Sequence, residues 1–240
     1  MMKHIPNIIT SLNLAAGFIA IIFAGNGDIL TASWLILAAM IFDFLDGFSA
    51  RLLKAYSDVG KELDSLADVV SFGVAPALII YYLLNESLSL YAPMIVNSTN
   101  LMIYFILIVP AIMPVCAAVR LAIFNLDSTQ AKTFKGLPTP ANALAVISII
   151  IAGQNTHSEL FNSFTSSPLL LIIFTIILSL LMVSRIPLLS LKISNIKLKG
   201  NEGRYVFIVL IAASFAVFGI MAFPLIIPLY IVASALSLMF

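Results

Sequence analysis

Four aspartates set inside apolar sequence are the residues of this 240-residue chain best suited to chemistry. They are Asp43, Asp46, Asp64 and Asp68. An aspartate near the centre of a bilayer costs about 2.5–3.5 kcal/mol on insertion scales, so carboxylates in such positions usually mark a functional site. Carboxylates this close together also repel one another unless cations or protons compensate their charge. The cluster therefore predicts a site that holds a cationic partner.

The spacing of the aspartates predicts that they lie on single faces of two neighbouring helices. The first stripe follows the spacing i, i+3, i+4, i+7 and consists of Asp43, Asp46, Gly47 and Ala50. Asp64 and Asp68 are four residues apart and share a face of the next helix. The connection at residues 51–60 is short, so the two helices run antiparallel as neighbours. The four carboxylates are expected to converge.

Dense carboxylate oxygens are ligands for hard divalent cations such as Mg²⁺ or Mn²⁺, which substrate phosphates help to bind. Two such ions can stabilise the attacking and leaving oxygens of a phosphoryl transfer. Gly47 and Ala50 leave room for a ligand, and Arg51 offers a fixed cation for a diphosphate. Two alternatives stay open at this point. Paired membrane aspartates also form proton or sodium sites in transporters, and a stripe of Gly and Ala also forms helix-packing faces.

Composition defines the setting of these residues. Hydrophobic residues make up 62% of the chain and charged residues 10%, with a net charge of +1. A soluble domain carries about a quarter charged residues. These values exclude a soluble enzyme, a disordered segment and a nucleic-acid binder, which needs a basic patch. They predict an all-α, polytopic membrane protein with one membrane domain at residues 1–240.

About eight segments are long and apolar enough to cross a membrane. They are residues 5–24, 30–54, 61–84, 101–125, 138–153, 168–184, 204–222 and 224–240. The last two meet at Phe223-Pro224, which predicts a tight turn. With a cytoplasmic N-terminus, all 12 Lys and Arg residues fall on or near the cytoplasmic side. We therefore expect a multi-pass protein of the cytoplasmic membrane whose carboxylates face the cytoplasm.

The motif Asp43-x2-Asp46-Gly47-x2-Ala50-Arg51-x8-Gly60-x3-Asp64-x3-Asp68 resembles the signature of the CDP-alcohol phosphatidyltransferases. The resemblance implies a homodimeric membrane enzyme that displaces CMP from a CDP-linked alcohol with an acceptor hydroxyl, using divalent metal. It covers about residues 5–143, the expected catalytic core. Residues 144–240, the expected C-terminal transmembrane helices, resemble the family only in hydropathy.

The resemblance also implies roles for individual residues. Asp43, Asp46, Asp64 and Asp68 would face two Mg²⁺ or Mn²⁺ ions, and Asp68 would also be the general base on the acceptor hydroxyl. The CDP-lipid would be bound by Asn7, Thr10, Gly47, Ala50, Arg51, Ser57 and Gly60.

Three further stretches are similar to the multi-span phosphatidylserine synthases within this family. They are residues 71–76, 120–125 and 134–143. The usual form of the second stretch has arginine where this chain has Ile123. This similarity implies that CDP-diacylglycerol and L-serine are the substrates and that phosphatidylserine and CMP are the products. Membrane lipids would surround the protein.

Serine is a zwitterion, so its site needs a cation for the carboxylate. Arg120 is costly near the inner end of an apolar helix unless it is paired, and a bidentate contact to a carboxylate would suit it. Asn125 and Lys135 are expected at the same membrane level. Arg120 could instead pair with an aspartate or a lipid phosphate. Glycerol 3-phosphate or inositol as the acceptor, and a cation-coupled transporter, remain alternatives.

Overall fold

The computed structural model describes residues 4–91, 101–127, 134–156, 159–189 and 201–237. Within these ranges the chain is helical apart from short connections and one pair of two-residue strands. The predicted all-α class is confirmed. The strands are β1, Phe134–Lys135, and β2, Pro187–Leu188. The α-helices in chain order are α1 Ile5–Gly25, α2 Ile29–Leu52, α3 Asp58–Asp68, α4 Ala75–Tyr91, α5 Leu101–Ile108, α6 Ile112–Leu126, α7 Thr139–Thr156, α8 Glu159–Thr165, α9 Pro168–Val183, α10 Glu202–Phe218 and α11 Ile226–Ser237.

Three short segments of other helical geometry join these helices. A π-helical turn at Val69–Val74 connects α3 to α4, so that residues 58–90 form one continuous helical stretch. A 3₁₀ turn at Val109–Ala111, which contains Pro110, joins α5 to α6. A second 3₁₀ segment, Gly219–Leu225, joins α10 to α11.

In the part of the chain that the structure describes, five helical stretches are long and apolar enough to cross a membrane. They are Ile5–Gly25, Ile29–Leu52, Asp58–Leu90, Leu101–Leu126 and Glu202–Ser237. A sixth is possible if α8 and α9, which are bent by 79°, count as one span. The protein is therefore a multi-pass membrane protein, and the number of eight spans stays a prediction.

The stretch Glu202–Ser237 reverses direction within its length. Gly203, near its start, lies against Ser237 at its end, since a Cβ added to Gly203 would be 2.5 Å from Ser237 Cβ. Gly219 has a φ of +56°, in the left-handed region that favours glycine, and ends α10 there. The tight turn predicted at Phe223-Pro224 lies inside the 3₁₀ segment of this reversal.

Small residues bring α1 close to α2 and to the π-helical turn. Ala20 and Ala24 of α1 and Ala32 and Ala39 of α2 are fully buried. A Cβ added to Gly17 would be 2.7 Å from Ser71 Cα, so only glycine permits this approach. The packing sets the position of the segment that follows Asp68.

Side-chain caps fix the starts of α2 and α3. Asp28 accepts a hydrogen bond of 3.0 Å from the backbone N–H of Thr31. That backbone hydrogen bond lowers the pKa of the exposed Asp28 carboxyl below its usual value. Ser57 Oγ accepts a hydrogen bond of 3.0 Å from the backbone N–H of Gly60 at the start of α3.

The segment before α7 is bound to the end of α9. The backbone N–H of Gly136 donates to the Ile186 carbonyl at 2.9 Å, and that of Leu137 donates to the Leu181 carbonyl at 2.9 Å. Gly136 has a φ of +76°, and a Cβ on it would be 2.5 Å from the Met182 carbonyl oxygen. A glycine is therefore required where this segment passes the end of α9.

Candidate active site

The structure brings three of the four aspartates together. One carboxylate oxygen from each of Asp43, Asp64 and Asp68 lies within 4.8 Å of the others. Helix α2 supplies Asp43 and helix α3 supplies the other two. Asp46 lies outside this group of three but close enough to interact electrostatically with Asp43 and Asp64. Helix α1 packs against both α2 and α3, and this packing brings their carboxylates to one place.

These carboxylates have few partners. Asp46 Oδ2 and Asp64 Oδ1 are buried and accept no hydrogen bond from any described residue. Among the described side chains, no Lys, Arg or His forms an ion pair with any of the four aspartates. Buried carboxylate oxygens without partners are costly. Their chemistry fits one or more hard divalent cations, which oxygen ligands prefer.

Asp68 accepts side-chain hydrogen bonds on both of its carboxylate oxygens. The Asn13 side chain of α1 donates to Asp68 Oδ1 at 3.4 Å. The Thr139 hydroxyl, at the start of α7, donates to Asp68 Oδ2 at 3.4 Å. Asp68 is 7% exposed, and both donors are fully or almost fully buried. The sequence did not single out either donor, although Thr139 lies in the stretch 134–143 that carries the resemblance.

The π-helical turn directly after Asp68 is held by two polar side chains. Ser71 donates its hydroxyl to the Asn13 carbonyl at 3.0 Å. Asn142 of α7 donates its side-chain amide to the Phe72 carbonyl at 3.1 Å. π-Helical turns are rare in proteins as a whole, but those that occur are often found at functional sites. Residues from α1 and α7 thus meet around the end of α3.

A cavity of about 200 Å³ lies beside the cluster. Six of the seven residues predicted to bind the CDP-lipid line it: Asn7, Thr10, Gly47, Ala50, Ser57 and Gly60. Asp46 and Asp64 also line it, so this cavity is continuous with the carboxylates.

The glycines of this cavity keep it open. A Cβ added to Gly60 would be 2.9 Å from both Asn7 Oδ1 and Ser57 Oγ. The seventh predicted residue, Arg51, does not line the cavity, and its Nη1 lies 3.5 Å from the place where Gly47 would carry a Cβ. Its guanidinium therefore folds back over Gly47, at the edge of the cavity.

A second cavity, of about 360 Å³, is lined by three cationic residues, Arg120, Lys135 and Arg185. Helix α6 and the residue directly after it contribute positions with the spacing i, i+3, i+4, i+7: Arg120, Ile123, Phe124 and Asp127. Ile123 therefore faces the cavity at the position where the resemblance has an arginine. We call this the cationic cavity.

Arg120 is buried, and at least one of its hydrogen-bond donors has no partner among the described residues. The residue is 8% exposed, and its Nε has no hydrogen-bond partner among the described residues. Its guanidinium carbon lies 5.7 Å from the centroid of the Phe124 ring, and it interacts electrostatically with Asp68. Lys135 Nζ lies 3.4 Å from Asp127 Oδ2. Arg120 thus joins the cationic cavity to the carboxylate cluster.

Two residues, Asn125 and Arg185, make contacts that the sequence did not predict. Asn125 was predicted to bind serine, but its side chain donates to Ser65 Oγ at 2.9 Å and it does not line the cationic cavity. Its carbonyl accepts a hydrogen bond of 2.9 Å from Lys61 Nζ, so it joins α6 to α3. Arg185 lines the cavity, whereas the sequence predicted for it only a position on or near the cytoplasmic side, as for every Lys and Arg residue.

The sequence profile of the CDP-alcohol phosphatidyltransferases matches residues 3–186, most of the chain and all the elements that build both cavities. The chain belongs to this family. The sequence resemblance to this family rests on the spacing of its motif residues, which are the four aspartates, Gly47, Arg51 and Gly60. The family membership decides against the transporter alternative.

Individual relatives in the family carry a more specific name. The chain is 36% identical over 185 residues to "CDP-diacylglycerol--serine O-phosphatidyltransferase" of Bacillus subtilis, covering 77% of this chain and 89% of that protein. It is 37% identical over 182 residues to the protein of the same name from Methanocaldococcus jannaschii, covering 76% and 72%. It is also 33% identical over 162 residues to "Archaetidylserine synthase" of Methanothermobacter thermautotrophicus, covering 67% and 62%.

Proposed function

We propose that this phosphatidyltransferase moves the phosphatidyl group of CDP-diacylglycerol to L-serine and gives phosphatidylserine and CMP. The observation that favours an acceptor with an anionic group, such as the serine carboxylate, is the cationic cavity, where the buried Arg120 has an Nε without a hydrogen-bond partner among the described residues and interacts electrostatically with Asp68. The names of the relatives favour serine among such acceptors.

The carboxylates Asp43, Asp46, Asp64 and Asp68 hold divalent metal in this proposal, as two Mg²⁺ or Mn²⁺ ions. The support is the convergence of three of them within 4.8 Å and the unpartnered oxygens of Asp46 and Asp64. The metal would stabilise the negative charge that develops on the diphosphate.

The CDP-lipid occupies the cavity of about 200 Å³ beside the carboxylates. The hydroxyl of Thr10 and the amide of Asn7 line it and can bind polar groups of the nucleotide. Gly47, Ala50 and Gly60 leave space for the diphosphate backbone to approach. Ser57 lines the same cavity, and Arg51 at its edge supplies positive charge to the phosphates.

Serine binds in the cationic cavity, with its carboxylate on Arg120 and its hydroxyl towards Asp68. A guanidinium binds a carboxylate through two parallel hydrogen bonds, and the free Nε of Arg120 leaves that geometry available. Lys135 adds positive charge, and Arg185 supplies a second guanidinium to a cavity where Ile123 replaces the expected arginine. Asn125 contributes indirectly, since it joins α6 to Ser65 of α3.

Asp68 removes the proton of the serine hydroxyl in this scheme. The serine oxygen then forms a bond to the phosphorus that carries the lipid, and the bond from that phosphorus to the oxygen of CMP breaks. The proton remains on Asp68 and CMP leaves with the electron pair. A positioned general base contributes about 10²–10⁴-fold to such a reaction.

The setting of the enzyme completes the proposal. The placement of Lys and Arg residues supports a cytoplasmic N-terminus and a site open to the cytoplasm, where serine and CMP are soluble. The protein would work in the cytoplasmic membrane, and as a homodimer.

An acceptor screen with the purified full-length protein tests the proposal. The protein in lipid nanodiscs receives radiolabelled CDP-diacylglycerol with serine, glycerol 3-phosphate or inositol, and the release of CMP and the lipid product are measured. Of the three acceptors, only serine should give a lipid product. A chelator should stop the reaction until Mg²⁺ or Mn²⁺ is restored. Product with another acceptor, and none with serine, would overturn the proposal.

A further inference from the structure

The segment from Lys135 to Asn142 contacts both the carboxylate cluster and the cationic cavity. The proposed reaction assigns a role to Lys135 but none to Thr139 or Asn142. We propose that Thr139 and Asn142 are positioning residues that hold the Asp68 carboxylate at a fixed place relative to the acceptor. The inference rests on the proposed function, because it assigns these residues to the general base of that reaction.

The first contact is direct. Thr139 is fully buried and donates its hydroxyl to Asp68 Oδ2, while Asn13 donates to Asp68 Oδ1. One donor on each oxygen fixes the rotation of the carboxylate about its χ2 bond, which is otherwise a soft torsion. Both distances are 3.4 Å, and catalytic hydrogen bonds often shorten when substrate binds.

The second contact acts through the backbone. Asp68 is the last residue of α3, and the π-helical turn begins at the next residue. The Asn142 side chain is fully buried and its amide donates to the Phe72 carbonyl inside that turn. A π-helical turn carries one residue more than an α-helical one, so it changes the direction of the residues beside it. Asn142 therefore stabilises the geometry that directs Asp68.

The same segment is attached to the cationic cavity. Lys135 lines the cavity, and the amides of Gly136 and Leu137 bind carbonyls at the end of α9, next to Arg185. Thr139 follows two residues later and starts α7. One short stretch of chain thus links the base to the walls of the acceptor site. A shift of about 1 Å between reacting groups costs on the order of 100-fold in rate.

Thr139→Val tests the direct contact because it removes the hydroxyl and keeps the shape. The matched control is Thr175→Val, since Thr175 is also fully buried but donates only to the Leu171 carbonyl of its own helix. We expect Thr139→Val to lower kcat with serine by about 10- to 100-fold, with the KM for CDP-diacylglycerol unchanged. Thr139→Ser should recover most of the loss, and Thr175→Val should retain the wild-type kcat.

Asn142→Leu tests the backbone contact independently of Thr139. Its control is Ser148→Ala, because Ser148 is buried in the same helix and donates to the Ala145 carbonyl. We expect Asn142→Leu to lower kcat by about 10-fold or more, again without a change in the KM for CDP-diacylglycerol.

The outcomes separate this inference from the proposed function. A wild-type protein that releases no CMP with serine overturns the proposed function. An active wild-type protein in which Thr139→Val matches Thr175→Val, or in which Thr139→Ser is as impaired as Thr139→Val, overturns the positioning role. If Thr139→Val fails to fold, Asn142→Leu decides, and an unchanged kcat in that variant overturns the inference.

Discussion

The carboxylate cluster and the cationic cavity are neighbouring sites of opposite charge that are built in different ways. The cluster comes from a single stretch of chain, residues 43–68, which covers the end of α2 and all of α3. The cavity takes one cation each from α6, from β1 and from the residues that follow α9. Spacing along the sequence therefore predicts the first site, whereas only the fold assembles the second.

The two sites also differ in how their charges are compensated. No described residue forms an ion pair with the cluster aspartates, so like charges face one another there. In the cationic cavity Lys135 already has Asp127 as a partner, and Arg120 packs on the Phe124 ring. We therefore expect the cluster to need an added cation, whereas the charges of the cavity are already partly compensated within the protein.

Removal of one carboxylate from the cluster should have the largest effect. We expect Asp64→Asn to lower kcat by about 10²–10³-fold, since a fixed charge that acts on the transition state is lost. The same variant should unfold at a higher temperature than the wild type in the presence of chelator, because repulsion within the cluster falls. CMP release and thermal unfolding measure the two effects.

Asp58→Asn is the control for this variant. Asp58 is an exposed acid in the first turn of the same helix and lies outside the group of converging carboxylates. It should retain activity. A lower unfolding temperature for Asp64→Asn in chelator would contradict the view that the cluster is unfavourable without a cation.

The next effect in size should come from the cationic cavity. Arg120→Lys keeps the charge but loses the planar, two-pronged geometry. We expect the KM for serine to rise about 10- to 100-fold, which corresponds to the loss of one hydrogen bond to a charged group, about 1.5–3 kcal/mol. The KM for CDP-diacylglycerol should not change, whereas Arg51→Lys should show the reverse pattern. Equal effects of both variants on both substrates would mean that the two sites are not separate.

Much of the fold follows from the sequence because apolar length and helical spacing are local properties. The predicted segment 5–24 becomes Ile5–Gly25, and 138–153 becomes Thr139–Thr156. The predicted segment 101–125 becomes two helices because Pro110 interrupts it. The reversal between α10 and α11 depends on the left-handed Gly219, a backbone conformation that apolar length and helical spacing do not predict.

The residues around the cationic cavity were harder to predict because they depend on which face of each helix meets which neighbour. Arg120 and Asn125 are five residues apart, about 140° around an α-helix, so their side chains leave the helix in different directions. Asn125 turns to Ser65 instead. Thr139 and Arg185 come from distant parts of the chain, and no spacing rule connects them to Arg120 or Asp68.

A smaller effect is expected from the exposed side of the cationic cavity. Arg185 is exposed, so its interaction with a bound carboxylate is screened by water. Arg185→Gln should raise the KM for serine about two- to fivefold, with kcat unchanged. Steady-state kinetics at low and high salt measure this, since the difference from the wild type should shrink as salt rises. A loss as large as that of Arg120→Lys would show that Arg185 is a main ligand.

The smallest effect should come from Asp28, at the opposite end of the helix that carries Asp43. Its carboxylate has a hydrogen-bond partner, in contrast to Asp46 Oδ2 and Asp64 Oδ1 of the cluster. Because the backbone N–H of Thr31 lowers the pKa of Asp28, its contribution to stability is present above the pKa of an unfolded aspartate and is lost as the pH falls through the lower, folded value. Asp28→Asn should therefore slightly lower the unfolding temperature at neutral pH and match the wild type at acid pH, with kcat and both KM values unchanged. A change in kcat would mean that the capped start of α2 helps to place the cluster at its other end.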